Sequence, residues 1–179
     1  MKKILFRKSI TILFGTVLAL GLFGIVYADS GSNIDPTHKF AWSTNAGWIN
    51  FNATHGFTKV FADHLEGYAW AENIGWIRLG THTGGGAHTY SNTSKINYGV
   101  NKDPTGKLSG FAWSANAGWI NFNPTHGGVT IDPANGDFIG YAWGENLGWI
   151  HFSKPGLYKV QAIFEKLGKV LLPLVMKTK

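Results

Sequence analysis

Apolar and polar side chains alternate over short stretches between Asp29 and Ser153, and turns rich in glycine and asparagine separate these stretches. Four segments share the pattern aromatic-Ala-Trp-x-x-Asn-x-Gly-Trp-Ile-x-Phe/Leu, and they span residues 40–51, 68–79, 111–122 and 141–152. Both ends of the pattern alternate and are rich in aromatic and β-branched residues, which favours two strands. The Asn-x-Gly between them tolerates positive φ, as a tight hairpin turn requires. Each copy is therefore predicted to be a β-hairpin.

The four hairpins form a duplicated pair, 40–79 and 111–152. Residues 40–56 and 111–127 match at 15 of 17 positions. Each connector supplies further strand-like segments around a turn: 57–61 with 65–70, 98–101 with 107–113, and 128–131 with 137–143. The unit is thus a three-stranded meander of about 30 residues, and no helical period appears between Asp29 and Ser153. We predict an all-β fold, a small antiparallel sandwich or barrel, with a propeller-like ring as the alternative.

All eight tryptophans lie in the four repeats, two in each. Strands with large side chains on both faces are seldom half in water, and a repeated core needs large rings at repeated positions. We therefore expect the tryptophans to form the core. The alternative is that the rings are exposed and stack on sugars.

The N-terminus has the three parts of a secretory signal peptide. Met1–Lys8 is basic, Ile10–Val26 is apolar, and small residues precede a polar segment after Ala28. We predict cleavage after Ala28, with an uncleaved anchor as the alternative because the apolar run is slightly long. The repeat domain then spans 29–152, and the protein is exported to the cell surface, the periplasm or the medium.

The C-terminal segment, 153–179, departs from the repeat and carries six lysines against one glutamate. Its apolar residues recur at helical spacing: Val160, Ile163, Phe164, Leu167, Leu171 and Leu174. One interpretation is a basic amphipathic tail, in which residues 157–179 bind a membrane surface or an envelope partner. The alternative is that Leu157–Phe164 forms a final strand of the body.

Charge and composition exclude several functions. The net charge of +6 comes from the two ends, because residues 29–152 hold six bases and nine acids. A nucleic-acid binder would carry its positive charge on the folded body, so we expect no nucleic-acid partner. The absence of cysteine excludes disulfides, zinc fingers, iron–sulfur clusters and a thiol nucleophile. No nucleophile elbow, His-Glu-x-x-His motif or Walker loop is present, and we predict that the protein is not an enzyme.

The histidines are the candidate metal ligands, since imidazole binds copper and zinc. His55 and His126 occupy equivalent positions just beyond a repeat strand. His82 and His88 share Thr81–Asn92, a glycine-rich insertion that the other connectors lack. Loops projecting from a rigid sheet often carry function, so this insertion is the first place to expect a site.

The repeat pattern, together with the connector that runs from Gly80 through His88-Thr-Tyr-Ser-Asn to Leu108-Ser-Gly-Phe-Ala-Trp, resembles a group of exported bacterial proteins. Their best-understood relatives are the copper-repressible, surface-associated copper-binding proteins of methane-oxidising bacteria. The resemblance covers about residues 36–152. It implies a copper site of two histidines and a tryptophan oxidised to kynurenine. By position, the implied ligands are His88 with His38 or His55, and Trp42 is the implied oxidised residue.

These observations lead to an exported, cell-surface-associated, non-enzymatic repeat protein that binds copper through histidines. Binding is expected to weaken as the pH falls through the histidine range near 6.5, because protons compete for the same lone pairs. Two alternatives stay open. One is a carbohydrate-binding or adhesion module that uses tryptophan faces, and the other is a purely structural envelope protein.

Overall fold

The computed structural model describes residues 31–164, which form fourteen strands and no helix. No segment within this range is a helix long and apolar enough to cross a membrane. The predicted signal peptide, 1–28, and the last part of the predicted tail, 165–179, lie outside the described residues.

The four predicted hairpins are all present. Their strands are β1 (Ile34–Ser43), β2 (Gly47–Asn50), β5 (Tyr68–Ala71), β6 (Gly75–Arg78), β8 (Leu108–Ser114), β9 (Gly118–Asn121), β11 (Phe138–Gly144) and β12 (Gly148–His151). The connector strands are β3 (Lys59–Val60), β4 (Leu65–Glu66), β7 (Val100–Lys102), β10 (Gly128–Ile131), β13 (Ser153–Lys154) and β14 (Tyr158–Ala162). The glycine of each Asn-x-Gly turn has a φ of +71° to +79°, as the turn chemistry predicts.

The eight hairpin strands close into an antiparallel barrel. Each hairpin pairs with the next, and β12 returns to β1 through Trp42 opposite His151 and Ser43 opposite Ile150. The register is the same in all four hairpins, with alanine opposite isoleucine and tryptophan opposite tryptophan. The all-β barrel prediction is confirmed, and the propeller-like alternative is not what the chain forms.

Alanine and isoleucine fill the barrel, where each small side chain faces a larger one in the narrow interior. The four pairs are buried: Ala41 with Ile49, Ala69 with Ile77, Ala112 with Ile120, and Ala142 with Ile150. Four phenylalanines extend this core. The Phe152 ring centroid lies 5.5 Å from that of Phe51 and 5.7 Å from those of Phe122 and Phe138.

The tryptophans are not in the core, so that expectation was wrong. They are 36–43% exposed and lie on the outer wall of the barrel. The predicted alternation is present, with Ile77 and Leu79 on the face opposite to Trp76. An eight-stranded barrel, however, has room inside only for the smaller of these side chains. Outside, the two rings of each hairpin pack edge to face, with centroids 4.7–5.0 Å apart.

The connectors form the predicted meanders and link to one another around one end of the barrel. Single bridges join corresponding positions of successive connectors: His64 to Asn101, Lys107 to Thr130, and Asp137 to Gln161. Strand β14 supplies the last partner, since it pairs with both β13 and β1.

Of the two alternatives for Leu157–Phe164, the final strand is therefore observed over Tyr158–Ala162. The buried side chains Val160 and Ala162 follow the two-residue period of a strand, so Val160 does not begin a helical stripe.

Candidate metal site

The candidate site is built on the first connector, where His64 follows a short turn between β3 and β4. The side chain of His64 is fully buried, and its ring stacks on Phe61 with centroids 4.7 Å apart. Lys107 and Asp137, at the corresponding positions of the other connectors, are not buried. The difference arises because rings from the insertion 81–92 contact His64.

Two carboxylates flank the His64 ring. Nδ1 lies 2.6 Å from Oδ1 of Asp63, and Nε2 lies 3.0 Å from Oε1 of Glu66. The hydrogen bond with His64 is the main reason that the pKa of Asp63 lies below its usual value, and the hydrogen bond from the His88 backbone N–H lowers this pKa further. Glu66 is itself buried, in contrast to the partly exposed Asp63. The ring is thus fixed at both nitrogens.

The same acids anchor the insertion. The Gly85 N–H donates to Oε1 of Glu66 at 2.9 Å, and the His88 N–H donates to Oδ2 of Asp63 at 2.9 Å. Gly85 has a φ of +64°, which a glycine adopts readily, and this allows the loop to turn back onto the connector. The loop brings Nε2 of His82 to 3.6 Å from Oε1 of Glu66 and to 3.0 Å from the Gly85 carbonyl oxygen.

His88 lies beside this group. Its ring stacks on that of His82, with centroids 4.1 Å apart and planes 9° apart, and its centroid is 5.6 Å from that of His64. Burial lowers the pKa of His88, and the charges of His82 and His64 lower it further. Tyr90 closes the cluster from the buried side: its hydroxyl donates to the Leu65 carbonyl oxygen at 2.9 Å, and burial raises its pKa.

The geometry fits a divalent metal ion. One ligand atom from each of His64, Glu66 and His82 lies within 4.8 Å of the others. A tetrahedral site with metal–ligand bonds of about 2.1 Å needs ligand atoms about 3.4 Å apart. The observed 3.0 and 3.6 Å separations from Glu66 bracket that value. Asp63 on the other nitrogen of His64 is the carboxylate–histidine arrangement that orients metal ligands.

Access comes from the His82 side, since that side chain is 31% exposed. An open cleft of about 400 Å³ reaches Glu66 and is lined also by His55 and Thr83. To bind an ion, His82 must present a lone pair on Nε2, so its contact with the Gly85 carbonyl gives way. The triple glycine 84–86 allows that adjustment.

Of the three histidines predicted as ligands, only His88 lies beside His64 and His82. His88 reaches the cluster, whereas His38 is exposed and pairs with Asp35 at 3.3 Å. His55 is also exposed, with its ring 6.4 Å from that of Phe57, and Trp42 packs on Trp48 on the barrel wall. None of His88, His38 and His55 belongs to the group of three ligand residues within the described part of the chain. A copper site at His88 with His38 or His55, and oxidation of Trp42, stay predictions.

His64 and Glu66 were not among the predicted ligands, although the sequence carries a signal for them. In the duplicated connectors these positions are Lys107 and Ser109 in one copy, and Asp137 and Ile139 in another. The unusual His-x-Glu lies in the first connector, at residues 64–66, and the insertion with His82 and His88 belongs to the next connector. Two departures from a repeat that meet in space identify a site better than either does alone.

Comparison of the chain with known protein families, curated proteins and solved structures gave no match.

Proposed function

We propose that this protein is an exported, non-enzymatic β-barrel that binds a divalent transition-metal ion through His64, Glu66 and His82. The observation that carries the proposal is the meeting of three ligand atoms within 4.8 Å, with one imidazole oriented by a carboxylate. Export is supported by the basic, apolar and small-residue pattern of residues 1–28.

The ligand set favours copper(II) or zinc over copper(I). Imidazole suits both metals, but copper(I) prefers sulfur, and the site offers a carboxylate. The chain has no cysteine, and its two methionines are Met1 and Met176, outside the described residues. By the general order of divalent affinities, copper(II) should bind more tightly than zinc. Copper is also the metal that the family resemblance implies.

Titration calorimetry of the purified protein with Cu²⁺ and Zn²⁺ tests the proposal. We expect one ion per chain. Because His82 is partly exposed, His82→Gln should leave the fold intact. It should lower the affinity by more than the roughly 10–100-fold that loss of a partner behind a ligand typically causes, because His82 is a direct ligand. His38→Gln and His55→Gln are matched controls that should bind as the unmodified protein does.

Undiminished binding by both His82→Gln and Glu66→Gln would overturn the site. Loss of binding in the His38 or His55 variant would instead place the ion where the resemblance implies. If no ion binds, the proposal fails, and the group is a structural contact in which Asp63 and Glu66 hold the His64 ring and join the insertion to the first connector.

A further inference from the structure

A second cleft lies on the outer wall of the barrel, between the second and third hairpins. It has a volume of about 500 Å³, within the range of small-molecule sites. Its lining is mostly aromatic and cationic and includes Trp76, Arg78, Lys95, Tyr98, Trp113 and Trp119. We propose that this cleft binds a glycan that carries carboxylate groups, that is, a chain of uronic acid sugars. This binding is separate from the metal site.

The aromatic side chains that line the cleft are held by contacts with one another and remain partly exposed. Trp119 packs edge to face on both Tyr98 and Trp113, with centroids 4.8 and 4.7 Å apart. Trp76 is 41% exposed on the opposite wall. The face of an indole ring is electron-rich, whereas the C–H groups on the face of a pyranose ring carry partial positive charge. Rigid rings of this kind favour a flat sugar, because little side-chain entropy is lost on binding.

A fixed cation lies against these rings. Arg78 is directly opposite Trp113 where β6 pairs with β8. Its Nε donates to the Gly80 carbonyl oxygen at 2.9 Å, and its Nη2 donates to that of Thr81 at 3.0 Å. These bonds, together with a hydrogen bond to Tyr98 and the Tyr68 ring 5.9 Å away, hold the guanidinium in place. A guanidinium has five N–H donors, and those not used by these partners can donate to a carboxylate.

Lys95, which is exposed, adds a second positive charge on the cleft. The adjoining cleft shares Lys95, Tyr98 and Trp119 but is bounded by Glu145, so the positive charge is concentrated on the Arg78 side. This charge should give an acidic sugar a higher affinity than a neutral one, because a neutral sugar would contact only the aromatic rings.

The duplication supplies an internal comparison. Where the fourth hairpin meets the first, His151 takes the place of Arg78, opposite Trp42. Tyr158 packs edge to face on Trp48 at 5.1 Å, as Tyr98 does on Trp119. The rings are thus repeated, but His151 contacts the Tyr158 hydroxyl at 3.0 Å in place of a fixed guanidinium. The second copy thus has the aromatic surface and a lysine, Lys154, whose charge acts on His151, but it has no fixed guanidinium.

The test uses a galacturonic acid trimer and the neutral galactose trimer, titrated against the full protein and followed by tryptophan fluorescence and calorimetry. A chelator is present throughout, so that metal bridging does not contribute and the outcome is independent of the metal site. We expect the acidic trimer to bind more tightly than the neutral one, and more weakly at high salt.

Arg78→Gln should lower the affinity for the acidic trimer at least about tenfold, as expected for a lost charged hydrogen bond. Arg78→Lys should retain part of the affinity. His151→Gln, the matched change in the second copy, should have no effect. Because Arg78 also holds the 80–81 loop, Lys95→Gln and Trp76→Ala serve as variants at exposed positions, and each should weaken binding.

Three results would overturn the proposal: no binding of either trimer, equal binding of both with Arg78→Gln unaffected, or equal losses in Arg78→Gln and His151→Gln.

Discussion

Replacing Phe152 by alanine tests whether the barrel interior, and not the tryptophan surface, stabilises the fold. Phe152 is fully buried, and its ring lies within 5.7 Å, centroid to centroid, of Phe51, Phe122 and Phe138. Truncating such a ring leaves a cavity and typically lowers the free energy of unfolding by about 3–5 kcal/mol. For a domain of this size, that corresponds to a fall in melting temperature of roughly 10–15 °C.

Trp149→Ala is the matched control, since it removes a larger ring from the same hairpin. Trp149 is 43% exposed, and its ring packs edge to face on those of Trp143, at 4.9 Å, and Tyr141, at 6.0 Å. We expect a loss of about 1–2 kcal/mol. Denaturant unfolding of both variants, followed by circular dichroism, gives the two values. If Trp149→Ala cost as much as Phe152→Ala, the assignment of the core to the interior side chains would be refuted.

Three further predictions concern the connectors and the fourth hairpin. Asp63→Asn should lower metal affinity about 10–100-fold without changing the circular dichroism spectrum, because Asp63 orients the His64 ring without being a ligand; calorimetry checks this. His151 lies next to Tyr158, Tyr141 and Lys154, and burial lowers its pKa in the folded protein. As the pH falls below about 6.5, this histidine is therefore protonated in the unfolded chain before it is protonated in the folded one. The free energy of unfolding should therefore fall with pH from there down to the folded-state pKa, and the fall should be smaller in His151→Gln. Gly136→Ala should destabilise by more than the roughly 1–3 kcal/mol of backbone strain, since its Cβ would clash with the Ala162 carbonyl oxygen. Gly86→Ala, with a φ of +73° and open space, should show the strain alone in thermal unfolding.

The hairpins, connectors and turns could be predicted because their signals are local. Alternation marks the strands, and Asn-x-Gly marks each turn that needs positive φ. Which face of a strand is buried is not a local property. Trp76 and Ile77 are both apolar, and the choice between them depends on the radius of the closed barrel, which admits isoleucine and alanine but not indole.

The candidate metal site could be predicted only in part, for a related reason. The insertion with His82 and His88 was predicted to carry a site because it interrupts the repeat. Its partner His64 lies 18 residues before His82 in the chain, and it is the fold of the insertion over the first connector that brings them together. The resemblance implies His88 with His38 or His55 from their positions in the sequence, and of these His88 lies beside His64 and His82 in the folded chain.

The most direct test of the metal site is a crystal structure of the protein with Cu²⁺ or Zn²⁺, with the ion located by its anomalous scattering. We expect one strong peak about 2.0–2.2 Å from nitrogen atoms of His64 and His82 and a carboxylate oxygen of Glu66. A peak at His38 or His55 with none at this group, or a fully exposed ion held by neither imidazole, would contradict it.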